Sequence, residues 1–320
     1  MQMNTIGELK KYDLHCHLDG SLSEAVIRKL AAGAGVEIPA GEKLMELLQV
    51  EPDCRSLKEY LEKFDLPLSC LADRDSFRTA VSELLGDGAK ENVVYMEIRF
   101  APLLSVRDGL TCRQIIEGAL DGLWEGKEKY GVDGNLILCG MRHMPVEQNV
   151  ELAETAREYL GQGVAALDLA GDEAAFPVKL HTKMFETARK LGIPFTIHAG
   201  ECGSPRSVWD AIELGADRIG HGIAVSKDKE LKAWCAAKQI PLEMCPSSNL
   251  QTRAVKNMEE YPFLEFLEAG IPVTVNTDNR TVSKTTITGE LELLQAYYHI
   301  TYSDMELLMK HAAQAAFIHN

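Results

Sequence analysis

Eight short runs rich in Val, Ile and Leu recur along this chain, with stretches of helical period between them. No other feature constrains the fold as strongly. The runs are Tyr12–Leu18, Val93–Phe100, Leu136–Met141, Val164–Gly171, Pro194–Ala199, Arg218–Gly222, Pro241–Cys245 and Ile271–Thr277. Strands covered outside by helices and filled inside by side chains read as near-continuous apolar runs. The later intervals, 20 to 35 residues, suit one strand plus one helix. Eight such units predict an α/β fold, a closed (β/α)8 TIM barrel, rather than an open sheet. The interval from Asp19 to Asn92 is too long for one helix. It is read as a helical insertion after the first strand, over about residues 21–90, forming a lid on the mouth of a single domain spanning 1–320.

Local signals agree with this layout. Ser21 followed by Glu24 fits a capping box opening a helix through about Ala32, and Ser303 followed by Glu306 repeats it. Gly192, Gly215 and Gly270 stand just before strands, where a helix end needs a left-handed residue. The chain stops at Asn320 in helical sequence, which leaves open whether a last helix is missing.

Composition narrows the function. Thirty-three Lys+Arg against 48 Asp+Glu give a net charge of −15. That surface repels phosphate backbones, so nucleic acid is not an expected partner. No segment approaches the roughly 20 apolar residues of a membrane helix, and the N-terminus carries no secretory signal. The eight cysteines are scattered without a C-x-x-C spacing and are read as reduced thiols of a cytoplasmic protein. Oligomeric state leaves no readable mark in these patterns.

In a barrel of this kind, polar residues at C-terminal strand ends converge on one site. His15 and His17 form an H-x-H at the end of the first strand, and residues two apart on a strand face the same side. His198 ends the fifth strand, His221 the sixth and Asp278 the eighth, with Glu201 three residues beyond His198. A lone histidine at a strand end is usually a satisfied hydrogen bonder. Four separate strand ends supplying these groups, in a chain with nine histidines, point to a metal centre. Imidazoles with one carboxylate suit Zn²⁺, with Fe²⁺, Co²⁺ and Mn²⁺ as alternatives. No bridging lysine stands in DLAGDE at the end of the fourth strand, so one ion per chain is expected. His181, His299, His311 and His319 fall in helical sequence and receive no catalytic role.

The series DLHCHLDGS, MEIRFAP, DLAGDE, TIHAGE, RIGHG, LEMCPSSN and VNTDN resembles, nearly end to end, the adenosine deaminases of the metal-dependent amidohydrolase superfamily. That resemblance implies a (β/α)8 barrel and hydrolytic deamination of adenosine and 2′-deoxyadenosine to inosine and ammonia. It implies zinc held by His15, His17, His198 and Asp278, with Asp278 also accepting a proton from water. His221 would support the attacking hydroxide, and Glu201 would deliver a proton to purine N1. The Gly171 amide would reach N3, Asp19 the ribose 5′-hydroxyl, and Tyr60 with Phe64 would form an apolar cover. Arg99 and His143 are read as supporting, structural residues. Asn279 stands where many members carry a second aspartate; an amide donates to purine N7 without first being protonated.

The chemistry needs these groups. Zinc can bring the pKa of a bound water from 15.7 to about 7, a change worth on the order of 12 kcal/mol in deprotonation cost. Protonation at N1 makes C6 electrophilic, and such transfers commonly contribute about 10²- to 10⁴-fold. Alternatives are an adenine deaminase, which tends to carry Glu at the position of Asp19, a deaminase of another 6-aminopurine nucleoside, and a catalytically inactive purine-binding barrel. AMP is disfavoured for want of a phosphate cradle. The H-x-E…P-C-x-x-C signature of nucleic-acid base deaminases is absent.

Overall fold

The computed structural model describes residues 5–318 apart from 52, 53, 55 and 203. Eight parallel strands follow the eight apolar runs: β1 (Lys11–His17), β2 (Val93–Phe100), β3 (Asp133–Met141), β4 (Val164–Ala170), β5 (Thr196–Ala199), β6 (Arg218–His221), β7 (Leu242–Met244) and β8 (Val273–Val275). They pair in sequence order as two four-stranded halves. Single bridges join the halves at both seams, Leu167 with Phe195 and Cys16 with Asp278. At the second seam the Asp278 amide donates to His15 O and the His17 amide to Asp278 O, both at 2.7 Å. The barrel is therefore closed, and its closure runs through the segment that carries the site.

Among the described residues, the insertion after β1 contains five α-helices, Glu24–Ala34, Glu42–Leu48, Leu57–Leu61, Asp65–Cys70 and Arg74–Ala89. Two capping signals are displaced from their expected positions. The first helix starts at Glu24 with Ser23 as its N-cap, while the Ser21 hydroxyl accepts the Arg280 amide at 3.0 Å. The last helix, Tyr302–Ala315, is capped by Thr301 in a box with Asp304 rather than by Ser303. In both places two hydroxyl residues stand two apart, and the spacing alone does not choose between them. The helical sequence near the end also stops early, since residues 316–318 are not helical. Gly192, Gly215 and Gly270 all adopt positive φ, as the strand-entry pattern requires.

Barrel interiors are ordinarily filled by layers of branched apolar side chains. Here the lower interior is ionic. Arg99 pairs with Asp168 at 2.8 Å and Glu243 at 2.9 Å, and Arg218 pairs with Glu97 at 2.5 Å and Glu243 at 2.7 Å. All five are buried. The end of the last helix and the segment after it close the floor: Ala315 O accepts from Arg218 at 2.8 Å, and the Phe317 ring lies 3.9 Å from the Arg218 guanidinium.

Candidate active site

The strand ends converge on a cavity of about 250 Å³ lined by His17, Asp19, Tyr60, Phe64, Gly171, His198, Glu201, His221, Asp278 and Asn279, with His15 beneath. The His15 Nδ1 lies 2.8 Å from Glu243 and the His198 Nδ1 lies 2.9 Å from Asp168. A carboxylate at Nδ1 fixes the tautomer and leaves the Nε2 lone pair free. The Nε2 atoms of His17 and His198 are 3.2 Å apart, and those of His15 and His17 each lie 3.4 Å from Asp278 Oδ1. A tetrahedron with centre-to-vertex distances of about 2.1 Å has edges of about 3.4 Å. His15 Nε2 is buried and has no hydrogen-bond partner among the described residues. The four residues fit a divalent ion.

The charge states of three of the four, His15, His17 and Asp278, agree with this fit. Burial, helped by Arg99 and His198, lowers His15 to about 4, and burial takes His17 well below its ordinary value. Both rings are held neutral, as ligands must be. Burial alone would raise Asp278, but the imidazoles of His15, His17 and His221 around it hold the carboxyl well below its ordinary range. Burial would also lower His198, yet Asp168 outweighs it and favours positive charge on that ring. A second cluster of His221, Cys245 and Asp278 is a poorer ligand set. Burial and Asp278 push the Cys245 thiol well up, so it stays protonated.

Beside the metal donors, its ring centroid 4.9 Å from that of His15, His221 Nε2 stands 3.7 Å from Glu201 Oε2. Asn249 orients the ring. Its Oδ1 accepts from the Tyr261 hydroxyl and the Cys245 amide, so its Nδ2 faces His221 Nδ1 at 3.0 Å as donor. That assigns the ring proton to Nε2, towards Glu201. Ser248 donates to Asp278 Oδ2 at 2.5 Å. Both His221 (φ 63°) and Asp278 (φ 57°) hold left-handed backbone, which side-chain-bearing residues seldom adopt.

The remaining wall is mixed. Burial raises Asp19 to about 6, and its Oδ1 is unpartnered among the described residues. Asn279 Oδ1 also lacks a partner among them. The residue beside it must be glycine, because a Cβ on Gly20 would fall 1.9 Å from that oxygen. Tyr60 and Phe64 reach in from the insertion with ring centroids 6.2 Å apart, and the Tyr60 hydroxyl lies 2.6 Å from Ser283 Oγ. His143 is exposed at the cavity rim, whereas Arg99 lies in the ionic floor. His181 is buried between Asn149 and the Arg142 carbonyl, and His311 contacts the Val273 carbonyl. His299 terminates a helix, and His319 lies outside the described residues.

The family model described as adenosine deaminase matches residues 10–320. The adenosine deaminase of Enterococcus faecalis is 41% identical over 319 residues, covering 99% of this chain and 95% of that protein. This chain belongs to the adenosine deaminase family. Solved structures agree on the barrel. The adenine deaminase of Arthrobacter aurescens is 25% identical, with a TM-score of 0.88 over 97% of this chain and 94% of that one. Arabidopsis ADAL complexed with IMP is 26% identical, with a TM-score of 0.86 over 98% and 94%. Family membership and the donor set together support a metal cofactor at this site.

Several groups that build the adenosine deaminase site were not singled out from the sequence: Asp168 and Glu243 behind the imidazoles, Ser248 behind Asp278, and Asn249 behind His221. All four lie inside DLAGDE and LEMCPSSN, so their positions were visible although their partners were not.

Proposed function

We propose that this chain deaminates adenosine and 2′-deoxyadenosine hydrolytically, consuming water and releasing ammonia and inosine or its deoxy form. The observation that carries the reading is one cavity in which a four-residue metal donor set faces Glu201 and His221. His15, His17, His198 and Asp278 would hold one zinc ion per chain. When bound, that ion supplies Lewis-acid activation of water.

The chain's own residues do the rest. Glu201 delivers a proton to purine N1, which draws electrons from C6 and opens it to attack. Its counterpart, Asp278, accepts the proton that water loses, steadied by Ser248 at its other oxygen. His221, its ring fixed by Asn249, donates from Nε2 towards the oxygen adding at C6. The Gly171 amide meets N3, the Asn279 amide meets N7, and Asp19 accepts from the ribose 5′-hydroxyl. Tyr60 and Phe64 exclude water above the ring. Carboxylates of Asp19, Asp65 and Asp172 line the cavity, whose described lining holds no lysine or arginine. This lining favours a nucleoside over a 5′-phosphate, by charge repulsion at short range.

The test is an absorbance assay on adenosine, 2′-deoxyadenosine, adenine and AMP, before and after chelation. The nucleosides should turn over at least about 100-fold faster than AMP, given several kcal/mol of repulsion at the mouth. Chelation should abolish activity and metal return should restore it. Preferred turnover of adenine would transfer the chain to the adenine-specific branch. Stoichiometric metal with no ammonia from any aminopurine would leave a binding barrel.

A further inference from the structure

Glu201 sits on a short turn just beyond β5, and a carboxylate from another strand holds that turn. Glu173, three residues past the end of β4, is buried at 5% exposure. Its Oε1 accepts the Gly200 amide at 2.7 Å, and its Oε2 accepts the amides of Glu201 and Cys202, each at 3.1 Å. Three successive amides converging on one anion form a nest, and each bond is charge-assisted. Gly200 makes the turn possible, with φ +74° and no room for a Cβ, which would meet Val208 Cγ2 at 2.6 Å. The Gly200 carbonyl is pinned as well, by the Ala224 amide at 2.9 Å.

A second tie runs in parallel. Arg142 donates to His198 O at 2.6 Å and to Phe176 O at 2.7 Å, so loop 171–176 is fastened to both ends of β5's terminal turn. That loop begins at Gly171, the residue assigned to purine N3, and Glu201 is assigned to N1. One hydrogen-bonded unit thus carries both contacts to the six-membered ring. Glu173 itself does not line the cavity.

We propose that Glu173 is the positioning residue for Glu201, setting the placement of the N1 proton donor through the amides of residues 200–202. The proposal rests on the acid role given to Glu201 above. Glu173→Gln keeps the size of the side chain but turns an NH₂ towards one of the amides. Misplacing a donor by a fraction of an ångström lowers kcat much more than it weakens binding, so kcat for adenosine should fall about 10- to 100-fold. KM and bound metal should stay within about twofold, as expected when a transition-state interaction alone is lost. In a Glu201→Gln background the same change should cost less than about threefold, because groups acting through one another are not additive.

An unchanged kcat, an equal loss in both backgrounds, or a parallel loss of metal would overturn the proposal. If Glu173→Gln does not fold, Glu173→Asp is judged by the same criteria. Hydrogen exchange on the unaltered protein gives a separate check. The amides of 200–202 should be protected at least about 100-fold over free peptide, and free-peptide rates would overturn the nest. Normal turnover by Glu201→Gln would instead strike the acid assignment itself, a result distinct from failure at Glu173.

Discussion

The floor and the mouth of the barrel both bury charge, and they treat it in opposite ways. At the floor Arg99, Arg218, Glu97, Asp168 and Glu243 each meet an opposite charge within 3 Å. Burial would raise the carboxyls of Asp168 and Glu243, yet their cationic neighbours hold both well below the ordinary range. At the mouth His15 Nε2 and Asp19 Oδ1 are buried without hydrogen-bond partners among the described residues. Buried polar atoms are nearly always satisfied, so a set of orphans facing one cavity marks where a bound species completes them. The floor also lends charge upward. Its two guanidinium groups face three carboxylates, and two of these, Glu243 and Asp168, lie under the imidazoles of His15 and His198.

The sharpest break between the two ends should come from Glu201→Gln. Ammonia release should fall by about 10³- to 10⁴-fold, since an amide cannot supply the N1 proton. Metal content and unfolding midpoint should stay at their parental values, checked by elemental analysis and urea titration. Arg218→Met should do the reverse. It leaves Glu97 and Glu243 buried without that cation, and loss of one partner from a buried pair typically costs about 3–5 kcal/mol. Urea unfolding measures it; a change below about 1 kcal/mol would deny the floor its supporting role.

Asp168→Asn probes the link between the ends. His198 loses the charge behind its Nδ1, and removing such an outer partner usually weakens metal affinity about 10- to 100-fold. Competition with a chelator on folded protein reads this directly. The smallest effect belongs to a buried carboxylate that pairs with no cation among the described residues. Burial raises Glu290 to about 7, only partly offset by the Ser247 amide, and its Oε1 is unpartnered among the described residues. Between the ordinary carboxyl value and about 7 the native state binds a proton that the unfolded chain has released. Stability therefore falls as pH rises through that window. Glu290→Gln removes the penalty and should raise Tm at pH 8 by about 2–4 °C. Thermal scans should show no gain at pH 5.

Strand positions were legible because apolar runs end in polar residues, and β2 matches its run residue for residue. The converging donors were legible for the same reason. The ionic floor was not, although Glu97, Arg99, Asp168 and Glu243 stand in plain view inside those runs. Their pairing crosses from strand to strand around the closed barrel, joining residues as far apart as Arg99 and Glu243. An apolar-run pattern reports which segments are buried, whereas ion pairs depend on which interior layer each residue occupies. The cap at Thr301 was missed for a local reason, competition between hydroxyls two residues apart, whereas Ser23 holds the N-cap position without a side-chain cap bond.

The left-handed backbone at His221 and Asp278 has an evolutionary corollary. Each such residue carries on the order of 1–3 kcal/mol of strain, which glycine would relieve at no steric expense. Directed evolution for heat resistance alone would thus be rewarded for erasing the two side chains. A library screened without a turnover assay should accumulate glycine at 221 and 278 and deliver sturdier, inert barrels.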